Sequence, residues 1–368
     1  MAIFVNHLAD GGAARVAVNL ARAWSDRGRQ VTILTSDKGE CPPFYELDSR
    51  VRHLPMGLQY NSRNPLEAFF FNIFRVLRLR SVLKRVRPDV VISFLDRNNI
   101  LCLLATCCLR RMPVVVSERT DPGARSIGLT WERLRHLVYP WADCVVVQSE
   151  HALAYFPPAV RAKGWVIPNP VILPPPGPAP SPERGSRRLV VTLGRLNRVK
   201  GHDLLIEAFA QLSDAFPDWD VAIYGEGPER TALEQDIRQR GLEDRIFLRG
   251  ATEQVGSTLR QADLFVFPSR AEGFPNALAE AMACGLPVVS FNCHSGPAEL
   301  IEDGRNGVLV PPLDVPAMAR AMARLMASPE ERAALGEAAT DVLTRFSELR
   351  VLEQWESAIQ SAVQANGR

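Results

Sequence analysis

The fold of this chain is decided by residues 264–289, LFVFPSRAEGFPNALAEAMACGLPVV. The stretch opens with the apolar run Leu264–Phe267, which is typical of a strand buried on both faces of a parallel sheet. A Pro-Ser turn follows, and Pro275 is expected in the first turn of a helix, where its missing N–H is not needed. The apolar run Val288–Phe291 then predicts a second strand. Strand, helix and strand in this order form the repeating unit of a parallel α/β sheet.

The same alternation extends over both halves of the 368-residue chain. In the first half, buried strands are predicted at Ile3–Asn6, Val31–Thr35, Val51–Met56, Val90–Leu95, Val114–Ser117 and Cys144–Gln148. In the second half, they are predicted at Leu189–Leu193, Val221–Tyr224, Ile246–Leu248, Leu264–Phe267, Val288–Phe291 and Val308–Val310. Helical stretches separate them, for instance Ala13–Arg27, which Gly28 ends. The pattern predicts two Rossmann-like, doubly wound parallel-sheet domains in series.

A proline-rich segment separates the two halves. Residues 174–186 begin PPPGPAPSP, and proline at this density interrupts helix and sheet and favours an extended connection. We therefore predict an N-terminal domain at 1–173, a linker at 174–186 and a C-terminal domain at 187–346. The tail at 347–364 predicts a last helix with Ser347 as its N-cap, which is expected to pack back onto the first domain.

The composition is that of an ordinary soluble protein, with 46% hydrophobic and 23% charged residues. No apolar run approaches the roughly 18–20 residues of a membrane span, and the N-terminus lacks the layout of a secretory signal. The seven cysteines form no Cys-x-x-Cys pair, so reduced thiols and no structural zinc are expected. The sequence therefore predicts a cytoplasmic protein.

Charge is divided unevenly between the halves. Residues 1–170 carry 23 Lys and Arg against 14 Asp and Glu, whereas the remainder carries 20 against 27. Within the first half, residues 68–88 form a helix-like stretch without acidic residues, in which an apolar stripe is flanked by cations. The cations are Arg75, Arg78, Arg80, Lys84, Arg85 and Arg87. Such a helix suits an anionic membrane surface or a phosphate-bearing lipid. The alternative is a core helix with a solvated basic rim, and no readout motif supports nucleic-acid binding.

Three loops that follow predicted strands carry candidate ligand-binding residues. Gly11 and Gly12 open the first helix, whose N–H groups suit an anion, although a plain tight turn explains them equally well. Arg195 and Lys200 lie between glycines in a loop that suits a diphosphate, and a solvated basic loop is the alternative.

The third loop contains two glutamates, Glu272 and Glu280, on either side of the expected helix start. Both are placed to accept hydrogen bonds from sugar hydroxyls, with the N–H groups between them available to phosphate. Glu280 lies about two turns inside the helix in an apolar run, so it is expected to be partly buried and to need a partner. A simple helix cap and a surface residue are the alternatives.

Taken together, these residues resemble the retaining glycosyltransferases of family GT4, which have the GT-B fold of two Rossmann-like domains facing across a cleft. The segments that carry the resemblance are Gly11-Gly12, Gly194-Arg195, Lys200-Gly201, Pro268-Ser269 and Glu272–Val289.

The resemblance implies a nucleotide-sugar donor, expected to be a UDP-sugar, on the C-terminal domain. Arg195 and Lys200 would hold the diphosphate and Glu272 the sugar hydroxyls, and these three are the implied catalytic residues. Because cations of the chain would stabilise the leaving diphosphate, neither a metal nor another cofactor is expected. The implied donor-binding set is Gly12, Arg195, Lys200, Glu272, Gly273, Phe274, Pro275, Asn276 and Glu280, with Glu280 on the ribose.

A narrower resemblance is to the PglH-like bacterial transferases that add N-acetylgalactosamine to polyprenyl-diphosphate-linked oligosaccharides. The segments that carry it are Ser93–Ile100, Ser117-Glu118 and Trp131 followed by Tyr139-Pro140 and Ala142-Asp143. It implies a polyprenyl-diphosphate-linked acceptor and a peripheral place at the inner face of the cell membrane. The implied acceptor-binding residues are Arg75, Arg78, Arg80, Lys84 and Arg119.

The sequence leaves alternatives for the role of residue 119 and for the substrate. Many GT4 members carry a histidine where this sequence has Arg119, and either Arg119 or Glu118 contacts the substrate or pairs locally. Other acceptors, a UDP-sugar epimerase of the same layout and a non-catalytic binding protein are the alternatives. An epimerase needs no acceptor and a binding protein gives no product, so product analysis with and without an acceptor distinguishes them.

Overall fold

The computed structural model describes residues 1–9, 11–40, 42–59, 64–107, 109, 112–124, 126–176 and 187–366. Most of the predicted linker, 177–186, lies outside the described residues. The chain divides into two compact units, Met1–Asn169 with Leu349–Arg368 and Pro170–Glu348. We call them unit 1 and unit 2.

Unit 1 contains a parallel sheet that has seven strands in its described residues. The strands are β1 (Ala2–Val5), β2 (Thr32–Thr35), β3 (Arg52–Pro55), β4 (Val91–Phe94), β5 (Val114–Ser117), β6 (Cys144–Val147) and β7 (Gly164–Val166). The α-helices in the N-terminal segment of unit 1 are α1 (Gly12–Asp26), α2 (Pro65–Val86), α3 (Asp96–Thr106), α4 (Leu129–Val138), α5 (Glu150–Ala154) and α6 (Pro158–Arg161). The sheet order is β3-β2-β1-β4-β5-β6-β7, so the strand order reverses between β1 and β4.

Unit 2 contains a second parallel sheet, with six strands in its described part. The strands are β8 (Arg188–Leu193), β9 (Trp219–Tyr224), β10 (Ile246–Gly250), β11 (Leu264–Phe267), β12 (Val288–Phe291) and β13 (Val308–Val310). The helices are α7 (His202–Ala210), α8 (Arg230–Gln239), α9 (Val255–Arg260), α10 (Asn276–Ala283), α11 (Pro297–Leu300), α12 (Val315–Ala327), α13 (Pro329–Ala339) and α14 (Val342–Arg345). The sheet order is β10-β9-β8-β11-β12-β13, which reverses between β8 and β11.

A last helix, α15 (Glu348–Asn366), belongs with unit 1 almost over its whole length. Trp355 is fully buried in the same cluster as β1 and α1. Its ring centroid lies 6.5 Å from that of Trp24 and 5.8 Å from that of Phe94. The apolar stripe of α15 therefore completes one face of the first sheet, while α2 and α3 contribute to a separate cluster that includes Phe4.

The predicted α/β fold with two parallel sheets is confirmed, and every predicted strand is present with bounds within two residues. The prediction that β3 is buried is wrong, because Arg52 and Pro55 are exposed. The reason is its place at the edge of the sheet, where one side has no neighbouring strand. Strand β7 was not predicted, since Gly164–Val166 is too short for a pattern. The described helices include none long and apolar enough to cross a membrane.

Candidate functional site

The candidate site of unit 2 is built by two loops at the point where its strand order reverses. Strands β8 and β11 are hydrogen-bonded neighbours in parallel register, so their carboxyl ends lie at the same edge of the sheet. The loop after β8 carries Arg195 and Lys200, and the loop after β11 carries Glu272. Ligands of open α/β sheets bind at such a reversal, because the loops there separate to opposite faces and leave a crevice.

Lys200 and Glu272 form an ion pair across these loops. Lys200 Nζ donates a hydrogen bond of 2.6 Å to Glu272 Oε1, and only 9% of the Glu272 side chain is exposed. The ammonium also lies 5.7 Å from the ring centroid of Phe267, where the aromatic face attracts a cation. The sequence placed both residues in a donor site, and the structure brings them into direct contact.

The Lys200 loop is held against the β11 loop by a backbone hydrogen bond and by the side chain of Arg270. The Arg270 N–H donates to Val199 O (2.8 Å), and Arg270 Nη1 donates to Arg198 O (2.7 Å). The same guanidinium binds both carboxylate oxygens of Asp203, at 2.8 and 2.6 Å. This two-pronged contact fixes the side-chain plane as well as its distance. Neither Arg270 nor Asp203 was among the predicted site residues.

Gly201 allows the closest approach of the two loops. Its φ is +68°, and a Cβ on it would lie 2.0 Å from Pro268 O. A side chain of any kind would therefore push the loops apart. The neighbouring His202 is buried, and its Nε2 lies 3.3 Å from Gly194 O. Burial lowers the pKa of His202 to about 4, so it is neutral at pH 7 and the cations of this loop are arginine and lysine.

The remaining predicted donor residues of unit 2 differ in exposure, since Phe274 and Pro275 are buried. Arg195 is exposed on the β8 loop. The loop at 273–276 is supported from behind by Ser295, whose Oγ donates to Gly273 O at 3.4 Å. The prediction that Pro275 lies within the helix is wrong, because α10 begins at Asn276 and Pro275 occupies its N-cap with ψ 75°. Glu280 is consequently the fifth residue of α10, one turn from its start, and is half-buried.

In unit 1, the predicted acceptor-binding cations of α2 fall into two groups. Arg78 and Lys84 are exposed. Arg80 donates to Ala105 O at 3.1 Å and also to Cys107 O, and thus binds carbonyls at the end of α3. Arg75 donates to Leu58 O at 2.8 Å and to the Asn72 side chain at 2.7 Å. Gly12 is exposed as the first residue of α1.

Arg119 and Glu118 are both buried and bonded within unit 1. Arg119 donates to the Asn169 side chain, and burial lowers the pKa of its guanidinium to about 9. Glu118 accepts a hydrogen bond from the Tyr139 hydroxyl and lies 3.7 Å from Arg135 Nη1. The structure thus shows local partners for both residues.

Both halves of the chain match models of glycosyltransferase families. Residues 178–342 match the family described as glycosyl transferases group 1, and residues 11–170 match the glycosyl transferase 4-like domain. The chain belongs to the GT4/group 1 glycosyltransferases.

Two relatives illustrate the range of the family. The glycosyltransferase is 28% identical to the N-acetylgalactosamine-N,N'-diacetylbacillosaminyl-diphospho-undecaprenol 4-alpha-N-acetylgalactosaminyltransferase of Campylobacter jejuni, over 84% of this chain and 85% of that one. It is 30% identical to the exopolysaccharide phosphotransferase SCO2592 of Streptomyces coelicolor over 85% of this chain, but it spans only 32% of that longer protein.

Two solved structures show the same fold. Sucrose-phosphate synthase from Thermosynechococcus elongatus superposes with a TM-score of 0.82 at 20% identity, covering 99% of both chains. Anabaena HepE, in complex with UDP and glucose, superposes with a TM-score of 0.77 at 20% identity, covering 98% of this chain and 99% of that one. The predicted GT-B fold is confirmed by these similarities.

The steric role of Gly201 predicts different outcomes for two glycine substitutions. Gly201→Ala is expected to lower the free energy of unfolding by about 1–3 kcal/mol more than Gly241→Ala, because its Cβ would clash with Pro268. Gly241 is the matched control, since its φ is +65° and a Cβ there would meet nothing within 4 Å. Urea unfolding of both variants measures the difference. Equal losses would mean that backbone strain alone, rather than the contact of the loops, determines the cost.

The burial of Glu118 predicts that the free energy of unfolding depends on pH. Burial raises the pKa of Glu118 to about 7, against the opposing effects of the Tyr139 hydrogen bond and the Arg135 charge. As pH rises from about 4.5, the unfolded chain releases this proton before the folded chain does, so stability declines up to about pH 7 and then levels off. Glu118→Gln, which keeps the shape of the side chain, is expected to lack this decline in urea unfolding between pH 4.5 and 8. Parallel pH profiles for the two proteins would contradict the assignment.

Proposed function

We propose that the protein is a retaining glycosyltransferase that moves a hexose or N-acetylhexosamine from a UDP-sugar to a polyprenyl-diphosphate-linked saccharide. The observation that carries the proposal is the Lys200–Glu272 ion pair at the strand reversal of unit 2, with Arg195 exposed on the same loop. A nucleotide sugar offers the two groups that suit these side chains, a diphosphate for the cations and hydroxyls for the carboxylate. The UDP and glucose in the HepE complex support a uridine nucleotide.

In this proposal, donor binding exchanges the partners of the ion pair. Diphosphate oxygens take the place of Glu272 at the Lys200 ammonium, and Glu272 then accepts hydrogen bonds from sugar hydroxyls. Because Glu272 is largely buried, its ionised form needs a partner at every stage. The exchange therefore favours a ligand that carries both a diphosphate and a sugar over a nucleotide alone.

The chemical step then needs charge stabilisation more than it needs a protein base. The bond between the anomeric carbon and the diphosphate oxygen breaks, and the acceptor hydroxyl attacks from the same face. Its proton passes to the departing phosphate oxygen. Arg195 and Lys200 offset the negative charge that develops on the diphosphate, which is the role a bound metal would otherwise fill. We accordingly propose a metal-independent reaction in which activity persists in EDTA.

The acceptor side of the proposal rests on α2 of unit 1. Its exposed cations Arg78 and Lys84 suit a lipid diphosphate or an anionic membrane surface. The Campylobacter relative carries diphospho-undecaprenol in its name, which supports an acceptor of this class. The protein would then work peripherally at the inner face of the cell membrane.

The direct test incubates the purified protein with a panel of UDP-sugars, with and without a polyprenyl-diphosphate-linked saccharide, and measures UDP release and product mass. Release that depends on the acceptor, with one sugar mass added and the anomeric configuration retained, is the expected result. Conversion of the UDP-sugar without an acceptor would indicate an epimerase instead. Transfer only to a soluble glycan would refute the lipid-linked acceptor and keep the transferase.

The donor site predicts a large loss of turnover for two cation variants. Arg195→Ala and Lys200→Ala are each expected to lower kcat about 10²–10³-fold, because they remove positive charge where the leaving group becomes negative. Arg198→Ala is the matched control, since Arg198 is an exposed cation between them that holds Arg270 only through its backbone oxygen. Steady-state kinetics with a fixed acceptor measure the effect. Near-normal turnover in both variants would contradict the diphosphate assignment.

The acceptor side predicts a selective effect of two cations on α2. Arg78→Ala with Lys84→Ala is expected to raise KM for a lipid-diphosphate acceptor about tenfold and to leave KM for the donor unchanged. The control is Arg22→Ala with Arg161→Ala, which removes the same charge from other exposed positions of unit 1. Kinetics with the lipid acceptor compare the two double variants. An equal rise of KM in both would indicate a general effect of net charge rather than contact at α2.

A further inference from the structure

An apolar groove lies on unit 1 between α2 and α4. Its volume is about 670 Å³, within the range of sites that bind drug-sized ligands. The side chains that line it include Phe69, Ile73, Leu77, Leu101, Leu129 and Leu134. Phe69 and Leu129 are 61% and 79% exposed, and Ile73 and Leu77 are exposed as well. Apolar residues scattered singly over a surface are normal, but exposed apolar side chains gathered in one concave surface indicate a binding site.

A polar cavity of about 370 Å³ adjoins this groove. The two share Leu101 and Trp131 in their walls, so Trp131 marks the boundary between apolar and polar surface. Arg97 lies on the polar side of that boundary, with its guanidinium carbon 5.4 Å from the Trp131 ring centroid. Arg75 lines the same cavity.

The charges of the polar cavity favour an anion. Its lining residues include two arginines, Arg75 and Arg97, and one carboxylate, Asp96. The cavity therefore has an excess of positive charge. Arg97 is exposed and makes a hydrogen bond of 3.4 Å to Ile127 O. An arginine with remaining N–H donors at the end of an apolar groove suits an amphiphile with an anionic head.

We propose that this groove binds the first isoprene units of the acceptor's polyprenyl chain and that its diphosphate lies at the Arg97 end of the groove. The inference rests on the proposed function and deepens it, because it assigns the lipid chain a site on the protein. It places the diphosphate away from the exposed Arg78 and Lys84, which are then left to the anionic membrane surface. Contact with a bilayer accounts for exposed apolar side chains. It does not account for a polar, cation-lined cavity that continues from the groove past Trp131. A single amphiphilic molecule accounts for both.

The test measures binding without sugar transfer, so it is independent of the reaction. Isothermal titration calorimetry of the full chain compares farnesyl diphosphate with inorganic diphosphate, in the absence of detergent and membranes. Farnesyl diphosphate is expected to bind at least tenfold more tightly than inorganic diphosphate. Equal affinities would overturn the proposal, because the apolar groove would then contribute nothing.

Two matched variants locate the chain. Leu129→Glu is expected to abolish the advantage of farnesyl diphosphate, since it places a charge in the groove, whereas Leu137→Glu is expected to retain it. Leu137 lies on the same helix, is 61% exposed and is not among the groove's lining residues. Both positions are on the surface, so folding is expected to survive both changes. Equal losses in the two variants would overturn the groove as the site.

Two further experiments test whether Arg97 binds the diphosphate group and whether the groove contacts a bilayer. Arg97→Gln is expected to weaken the binding of farnesyl diphosphate without changing the affinity for farnesol, because it removes the positive charge and Arg97 does not line the apolar groove. Vesicles of phosphatidylethanolamine and phosphatidylglycerol test bilayer contact. If Leu129→Glu lost vesicle binding but kept full affinity for farnesyl diphosphate, the groove would be a membrane contact and the proposal would fall. Groove-dependent binding in a protein that transfers no sugar would instead contradict only the proposed function.

Discussion

The contact between Lys200 and Glu272 is the interaction on which the rest of the candidate site of unit 2 depends. The two side chains lie 72 positions apart in the chain and meet because β8 and β11 are parallel neighbours. Their loops approach closely because residue 201 has no side chain, and they stay together because Arg270 binds one loop while it belongs to the other. A nearly buried carboxylate is thereby held with a compensating charge. The same arrangement leaves Arg195 exposed on the β8 loop.

The sequence predicts the fold well because each strand of a doubly wound sheet is a short, continuous apolar run. It also singles out Lys200 and Glu272 as candidate site residues, since both follow such runs, but it does not predict their direct contact. The exposure of β3 was not predictable, because it depends on which strand lies at the sheet edge rather than on the residues 52–55 themselves. The contact of Arg270 with Asp203 was missed for a similar reason. Each is one charged residue among many in the sequence, and only the sheet order makes them neighbours.

The basic helix shows the same limit at the level of single side chains. Period and charge predict that α2 packs by one stripe, and Leu79 and Leu83 are indeed fully buried. The period and the charge pattern do not predict that Arg80 binds carbonyls at the end of α3 while Arg78 stays exposed. Which cations remain available to a ligand is decided by the ends of neighbouring helices. Those ends are set by packing, which a helical wheel of one segment does not contain.

This distinction bears on how an arginine-rich half of a protein becomes specific for an anion. A guanidinium has five N–H donors, and the fold uses them in some residues and leaves them at the surface in others. Arg119 is buried and donates a hydrogen bond to Asn169, so its guanidinium is engaged within the fold and is not exposed to a ligand. Arg97 keeps an exposed guanidinium beside an aromatic ring and an apolar groove. An excess of positive charge attracts many anions, whereas the second arrangement would favour an anion that carries an apolar chain. Specificity for a lipid-linked acceptor would therefore come from where an arginine lies relative to apolar surface, and not from the number of arginines.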